Sequence, residues 1–343
     1  MSSETRTVVQ VGPVTTMPGG IAAVIEQYLR LDLKGWELLE RPSYWPGRPV
    51  RGLLAAATFP LWSLRRRERR RTIVHAHLSE GGSFVREGFI VRAAARLGHP
   101  VAVTLHGAGF ADFVRRRPAL ARGVLASASV VFCLGEDHAD LVRQLVPRAR
   151  PVLILNPVEV GRLEERSVPT GDLVVFGGEI GSRKGVDRLL LAWPIVVARV
   201  PHARLVLFGP KTGEIDLPES VEDGGVIDRS ALRTVLASAT VACLPSRQEV
   251  LPMFILEALS EGTPVVATAA GEWRSFAGAD DVTWVANDDA TVVADLAEAL
   301  VDALETPKTT SPTTGAWLHE HASTSAVGRT LTAAYDRLVG AER

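Results

Sequence analysis

The chain has 343 residues, 46% of them hydrophobic and 22% charged, with a formal net charge of −1. It is too long for one ordinary core and suits two domains of about 150 residues each, while near-neutrality argues against general nucleic-acid binding and leaves any basic function local. No apolar run reaches about 18 residues and no charged-then-apolar leader opens the chain, so the sequence predicts neither a membrane span nor a secretory signal, and hence a cytoplasmic protein.

Short apolar runs alternate with longer helical patterns, as in βα units with parallel sheets covered on both faces, so the class is α/β. In the first half, strands are expected at 7–12, 36–39, 73–76, 101–105, 130–134 and 152–155. The first of these runs through a loop holding Gly19 and Gly20 into an amphipathic helix. Glycines there admit close backbone approach, and a helix start offers free amides to an anion. The loop has neither Walker spacing nor a G-x-G-x-x-G pattern, which lowers the odds of an NTPase or a dehydrogenase. Next, Phe59 to Leu64 brings apolar side chains directly before Arg65, Arg66, Arg67, Arg69, Arg70 and Arg71, and Arg115 to Arg117 follow later. Such a patch suits an anionic bilayer surface or a lipid diphosphate, or is a solvated helix favoured by the chain's use of 34 Arg against 4 Lys, a skew resembling high-GC bacterial coding.

His106 follows the strand at 101–105, at the carboxyl end where α/β ligands bind, and is the histidine expected to be functional. His75 and His77 alternate along a strand end and read as core or rim residues, a paired metal site lacking a third ligand; His99 and His138 read as surface. Cys133 and Cys243 end apolar strands and read as inert core. The segments from Leu125 to Leu134 and from Leu236 to Leu244 echo each other, each a helix end feeding a strand.

The polar stretch from Glu164 to Gly171 marks a boundary. Beyond it, strands are expected at 173–177, 204–208, weakly at Val226, and at 241–244, 265–267 and 282–285. Arg183 and Lys184 sit at a helix entry, where cations oppose the helix dipole and an anionic ligand would explain them. In the run from Pro245 to Thr268, seven residues separate Glu249 from Glu257. A helix over 253–260 would leave Glu249 before its N-terminus and Glu257 about one turn inside, so both carboxylates can reach one polyol ligand. Asp280-Asp281 and Asp288-Asp289 read as solvated turns. Residues 306–315 read as a mobile Thr/Pro-rich loop, and Val327, Leu331, Ala334, Tyr335 and Leu338 give a last helix one face to bury.

The spacing of Glu249 and Glu257, with the Leu-Pro-Met and Glu-Gly-Thr-Pro-Val-Val-Ala-Thr segments around them, resembles the E-x7-E signature of family 4 glycosyltransferases. The resemblance implies a GT-B fold: two Rossmann-like domains facing across a cleft, an acceptor domain at 1–160, a nucleotide-sugar donor domain at 168–322, and a helix at 323–343 returning to the first. It implies retaining hexosyl transfer from a UDP- or GDP-sugar, with no cofactor, to a lipid-linked, glycolipid or polysaccharide acceptor. Nothing in the chain resembles an Asp-x-Asp metal site, so metal-independent transfer is expected, and the basic patch is what would bring the protein to the inner face of the plasma membrane. Glu249 and His106 would serve the transferred sugar, the backbone of Leu251, Pro252, Met253 and Phe254 would approach sugar and phosphate, Glu257 would hold the ribose, and Gly19, Gly20, Arg183 and Lys184 would attend the diphosphate. The family's usual Arg, five residues before Lys184, is here Glu179, with Arg183 as its natural substitute. Two readings stay open beside this one: a small natural-product acceptor, and an inactive sugar-nucleotide sensor or scaffold.

Overall fold

The computed structural model describes residues 6–17, 19–64, 71–213 and 215–340. Two compact units divide it, Met1–Pro157 with Thr324–Arg343, and Val158–Ser323.

The first unit holds β1 (Arg6–Pro13), β2 (Trp36–Tyr44), β3 (Thr72–Leu78), β4 (Val101–Leu105), β5 (Val130–Cys133) and β6 (Pro151–Leu153), all parallel in the order β2-β1-β3-β4-β5-β6. Between them run α1 (Gly20–Leu29), α2 (Pro49–Leu64), α3 (Gly82–Arg96), α4 (Phe110–Arg116), α5 (Pro118–Leu125) and α6 (Glu136–Leu145). Every residue of β3 and β4 is buried. A central parallel strand covered on both faces is buried along its whole length, and its polar members, Thr72, His75, His77 and Thr104, are buried with it.

The second unit repeats the scheme with β7 (Leu173–Gly177), β8 (Arg204–Phe208), β9 (Val221–Gly225), β10 (Val241–Leu244), β11 (Val265–Thr268) and β12 (Val282–Val285), ordered β12-β11-β10-β7-β8-β9 and again parallel. Its helices are α7 (Val186–Arg199), α8 (Arg229–Ser238), α9 (Met253–Ser260), α10 (Val292–Glu305) and α11 (Pro312–Trp317). The echoed segments are both helix ends feeding strands, α5 into β5 and α8 into β10.

The last helix, α12 (Thr324–Gly340), belongs to the first unit. Val327, Leu331, Ala334 and Tyr335 are its buried face. Polar contacts fix its register: Asp336 accepts from Arg6 at 2.6 Å and from the Trp36 indole at 3.1 Å, and the Tyr335 hydroxyl lies 2.7 Å from His75 Nδ1.

Several readings of the sequence are corrected. The edge strand β9 is Val-Glu-Asp-Gly-Gly, ending just before Val226; an edge needs little apolar surface, so its polar sequence gave no strand signal. His99 and His138 are buried. His99 lies 2.9 Å from the Thr72 carbonyl and His138 edges the Phe110 ring, so polar partners and aromatic packing make their burial possible. Residues 306–315 are no bare loop: Ser311 caps α11 by accepting from Thr314 N–H, Thr310 and Thr314 are buried, and the Ser311 N–H donates to Asp281 at 2.7 Å. Asp281 is therefore a buried, paired carboxylate.

Candidate active site

In an open α/β sheet, ligands bind beyond the carboxyl ends of strands where the strand order reverses. In the second sheet that point lies between β7 and β10. The segment after β7 carries a 3-10 turn, Ser182–Lys184, into α7, and the segment after β10 carries residues 245–252 into α9. There Lys184 Nζ and Glu249 Oε1 meet at 2.5 Å, and the Ser246 hydroxyl donates to the same oxygen at 2.7 Å. The two charged side chains are only 16% and 10% exposed, so each is the other's main compensation for lost water.

Backbone geometry seats this pair. Gly185 has φ 71°, and a β-carbon there would stand 1.9 Å from the Pro245 carbonyl oxygen; Gly271, at φ 65°, would meet the Glu249 carbonyl at the same distance. Only glycine combines that conformation with so close an approach. Arg247 locks the two segments together. Its guanidinium donates to both oxygens of Asp187 at 2.7 and 2.8 Å, and its backbone N–H donates to the Arg183 carbonyl at 3.0 Å. Burial alone would raise the Asp187 carboxyl, but Arg247 outweighs it and holds the group below its ordinary range.

Helix α9 begins after Pro252, with no side chain capping it. Its first-turn amides lack intrahelical acceptors and carry the positive end of the helix dipole, a suitable seat for a phosphate or a hydroxyl. Phe254 fixes this end by packing on Gly177, where a β-carbon would come within 2.6 Å of its ring. Glu257 is buried one turn inside and accepts from Arg229 of α8 at 2.7 Å. Burial raises its pKa, with Arg229 opposing the shift. Glu249 and Glu257 thus sit where the spacing placed them, each with a cation the sequence reading did not pair with it.

Arg183 is exposed, and its guanidinium is 3.3 Å from Glu179, which also accepts from Thr212 at 3.2 Å. Glu179 is turned toward these two partners, leaving Lys184 to Glu249.

In the first sheet the order reverses between β1 and β3. Gly19, at φ 135°, and Gly20 are exposed, and no side chain caps the start of α1. Beside them a cavity of about 440 Å³ is lined by Pro13, Met17, Ile21, Tyr44, Ser83 and Arg86. His106 follows β4 directly, its N–H donating to the Leu78 carbonyl at 2.7 Å. Its Nε2 lies 2.9 Å from His77 Nδ1. Burial, aided by neighbouring His138, pulls the His106 pKa down to about 3, so the ring is neutral at physiological pH. His75 and His77 stack with ring centres 4.7 Å apart and are engaged by Tyr335, Thr104 and Gln10. Among the described residues, no cluster of three His, Cys, Asp or Glu side chains is placed to hold a metal ion.

Of the basic patch, residues 65–70 lie outside the described residues, Arg71 is half-buried, Arg115 pairs with Asp112, and Arg116 and Arg117 are exposed. Sequence reasoning missed Ser246, Arg229 and Arg247 around the second site, and Gln10 and His77 behind His106. Only His77, in the strand-end His-Ala-His, carried a visible signal.

Residues 26–157 match the family model described as a glycosyl transferase 4-like domain, and residues 171–306 match glycosyl transferases group 1. The two models between them take in most of both units, and the chain belongs to the 4-like glycosyltransferases of GT-B fold. Among solved structures, sucrose-phosphate synthase from Thermosynechococcus elongatus is 16% identical, with a TM-score of 0.74 over 98% of this chain and 100% of that one. The Anabaena protein HepE in complex with UDP is 14% identical, with a TM-score of 0.70 over 95% and 98% of the two chains. A phosphatidylinositol N-acetylglucosaminyltransferase component from Arabidopsis thaliana is 27% identical over 231 residues, 62% of this chain and 51% of that protein. The curated relatives are covered for at most 51% of their own length.

Proposed function

We propose that the protein is a hexosyltransferase that takes its sugar from a nucleoside-diphosphate sugar and passes it, with retained anomeric configuration and without a metal, to a lipid-linked, glycolipid or polysaccharide acceptor. The observation that carries this reading is the Lys184–Glu249 pair at the switch point of the second sheet, beside the uncapped start of α9. Departure of a nucleoside diphosphate develops negative charge, and fixed cations and amide dipoles lower its barrier. Lys184 and the first turns of α7 and α9 supply these. Glu249 then has two jobs: with no ligand present it neutralises Lys184, and with a donor bound it accepts hydrogen bonds from the sugar hydroxyls while Lys184 turns to phosphate. Glu257 is assigned the ribose, and Arg183, Gly19 and Gly20 the diphosphate. His106 is assigned the transferred sugar.

Thermal-shift screening against UDP, GDP, ADP and their sugars tests donor binding. A ligand at about 100 times its dissociation constant should add roughly 2.7 kcal/mol of stability. NMR of the product's anomeric proton tests retention, and turnover undiminished by EDTA tests metal independence.

The acceptor reading extends to a membrane surface. No helix among the described residues is long and apolar enough to cross a membrane. However, α2 exposes Val50, Leu53, Leu54 and Leu61, each 58–66% accessible, directly before the arginines at 65–71. Apolar side chains beside clustered arginines suit peripheral contact with the anionic inner face of the plasma membrane.

A further inference from the structure

Behind His106 a chain of buried polar groups crosses the first unit. His106 Nε2 is 2.9 Å from His77 Nδ1, and His77 Nε2 is 2.9 Å from Gln10 Oε1. Alongside it, His75 lies 2.7 Å from the Tyr335 hydroxyl through Nδ1 and 2.7 Å from Thr104 Oγ1 through Nε2. Gln10, His75, His77, Thr104 and Tyr335 are all at most 1% exposed. The three imidazoles form one stack, 4.7 and 5.1 Å between successive ring centres. Burial holds all three neutral, so each ring has one donor nitrogen and one acceptor nitrogen.

The direction of the chain is set at its inner end. The Gln10 side chain lies beside the Tyr335 phenol, and its buried amide nitrogen makes no hydrogen bond. The Gln10 carbonyl oxygen is the atom that faces His77, 2.9 Å from its Nε2. A carbonyl accepts only, so His77 carries its proton on Nε2 and presents a bare Nδ1. His106 must then donate through Nε2. Its Nδ1 has no hydrogen-bond partner among the described residues.

We infer that Gln10 and His77 are positioning residues that fix His106 as the Nε2–H tautomer, presenting Nδ1 as a hydrogen-bond acceptor for a sugar hydroxyl. This rests on the proposed assignment of His106 to the transferred sugar. It makes His106 an orienting acceptor and not a proton donor. A bare nitrogen can hold a hydroxyl group at one angle, and it repels a substrate atom that also only accepts. The second-row residues thereby choose what the first-row residue can bind.

The test is ¹⁵N NMR of the full chain labelled at histidine, with the His106 signals assigned by their loss in His106→Gln. Wild type should show His106 protonated on Nε2 and bare on Nδ1. His77→Phe keeps the stacked ring and removes the acceptor; it should give a mixed or reversed His106 tautomer and lower kcat roughly five- to tenfold, the size of one net hydrogen bond, with KM little changed. His77→Asn, whose amide oxygen can stand in for Nδ1, should restore both. A wild-type His106 protonated on Nδ1 overturns the inference, and so does a His77→Phe protein whose His106 tautomer and kcat are those of wild type. The wild-type spectrum decides even where the variants fail to fold. If the tautomer is as stated while His106→Ala transfers sugar at the wild-type rate, the positioning chain stands and the assignment of His106 to the sugar falls.

Discussion

Acidification from pH 7.5 to 5.5 should loosen the first unit through the buried stack at His75 and His77. Burial pulls the His75 pKa from 6.5 down to about 3, and His77 is held well below its ordinary value by burial and its charged-state neighbours. The unfolded chain takes up these protons below pH about 6.5, whereas the folded chain keeps His75 neutral until pH about 3 and His77 neutral well below its ordinary range. Stability is therefore present above that window and lost as the pH falls through it. Between pH 7.5 and 5.5 the change amounts to about 1.4 kcal/mol for His75, and His77 adds to it in the same sense. Buried Glu87, whose pKa is raised by burial, works in the opposite sense, so the contrast is best taken as a difference between proteins. Native-state hydrogen exchange at the β3 and β4 amides gives the opening free energy of this region directly. His75→Gln should lose some stability at pH 7.5, where it forfeits a ring contact, yet its stability should fall about 1.4 kcal/mol less than wild type on acidification. An identical pH dependence in the two proteins would refute the claim that the buried ring is kept neutral by the fold.

Three other outcomes follow from the geometry. Gly271→Ala forces a side chain into a left-handed position 1.9 Å from the Glu249 carbonyl; urea unfolding should show a loss of roughly 1–3 kcal/mol, with weaker donor binding, and unchanged values would mean the loop is freely adjustable. Arg229→Ala leaves the buried Glu257 carboxylate without its cation, which should cost roughly 1–3 kcal/mol and raise the Glu257 pKa further, read by the same unfolding assay and by NMR titration. Sedimentation with anionic vesicles should fall several-fold when Leu53 and Leu54 become Ser, and again when the arginines at 65–71 become Gln; binding indifferent to both, or absent in wild type, removes the membrane proposal.

The parallel sheets were legible because strands buried on both faces write themselves as apolar, Val-rich runs, as at β5 and β11. The edge strand β9 was not, since its Glu-Asp-Gly-Gly end needs no core. Glu249 and Glu257 could be placed on their loop and helix by spacing alone, because α9 starts where Pro252 permits it. Their partners could not be read. Lys184 is 65 residues from Glu249 and meets it because β7 pairs with β10, and Arg229 reaches Glu257 from the neighbouring helix α8. The buried histidines misled for a related reason. His99 and His138 look like surface residues until a carbonyl or an aromatic edge from elsewhere in the chain makes their burial tolerable.

The most direct test of the account is donor hydrolysis by Glu249→Gln beside wild type, with nucleoside diphosphate binding measured on both. Wild type should slowly release nucleoside diphosphate from at least one UDP- or GDP-sugar. The variant should release it at least tenfold more slowly while binding the free diphosphate as well or better, because Lys184 is no longer neutralised. Hydrolysis undiminished in the variant, or a wild-type protein that neither binds nor turns over any donor in the panel, would contradict the central claim.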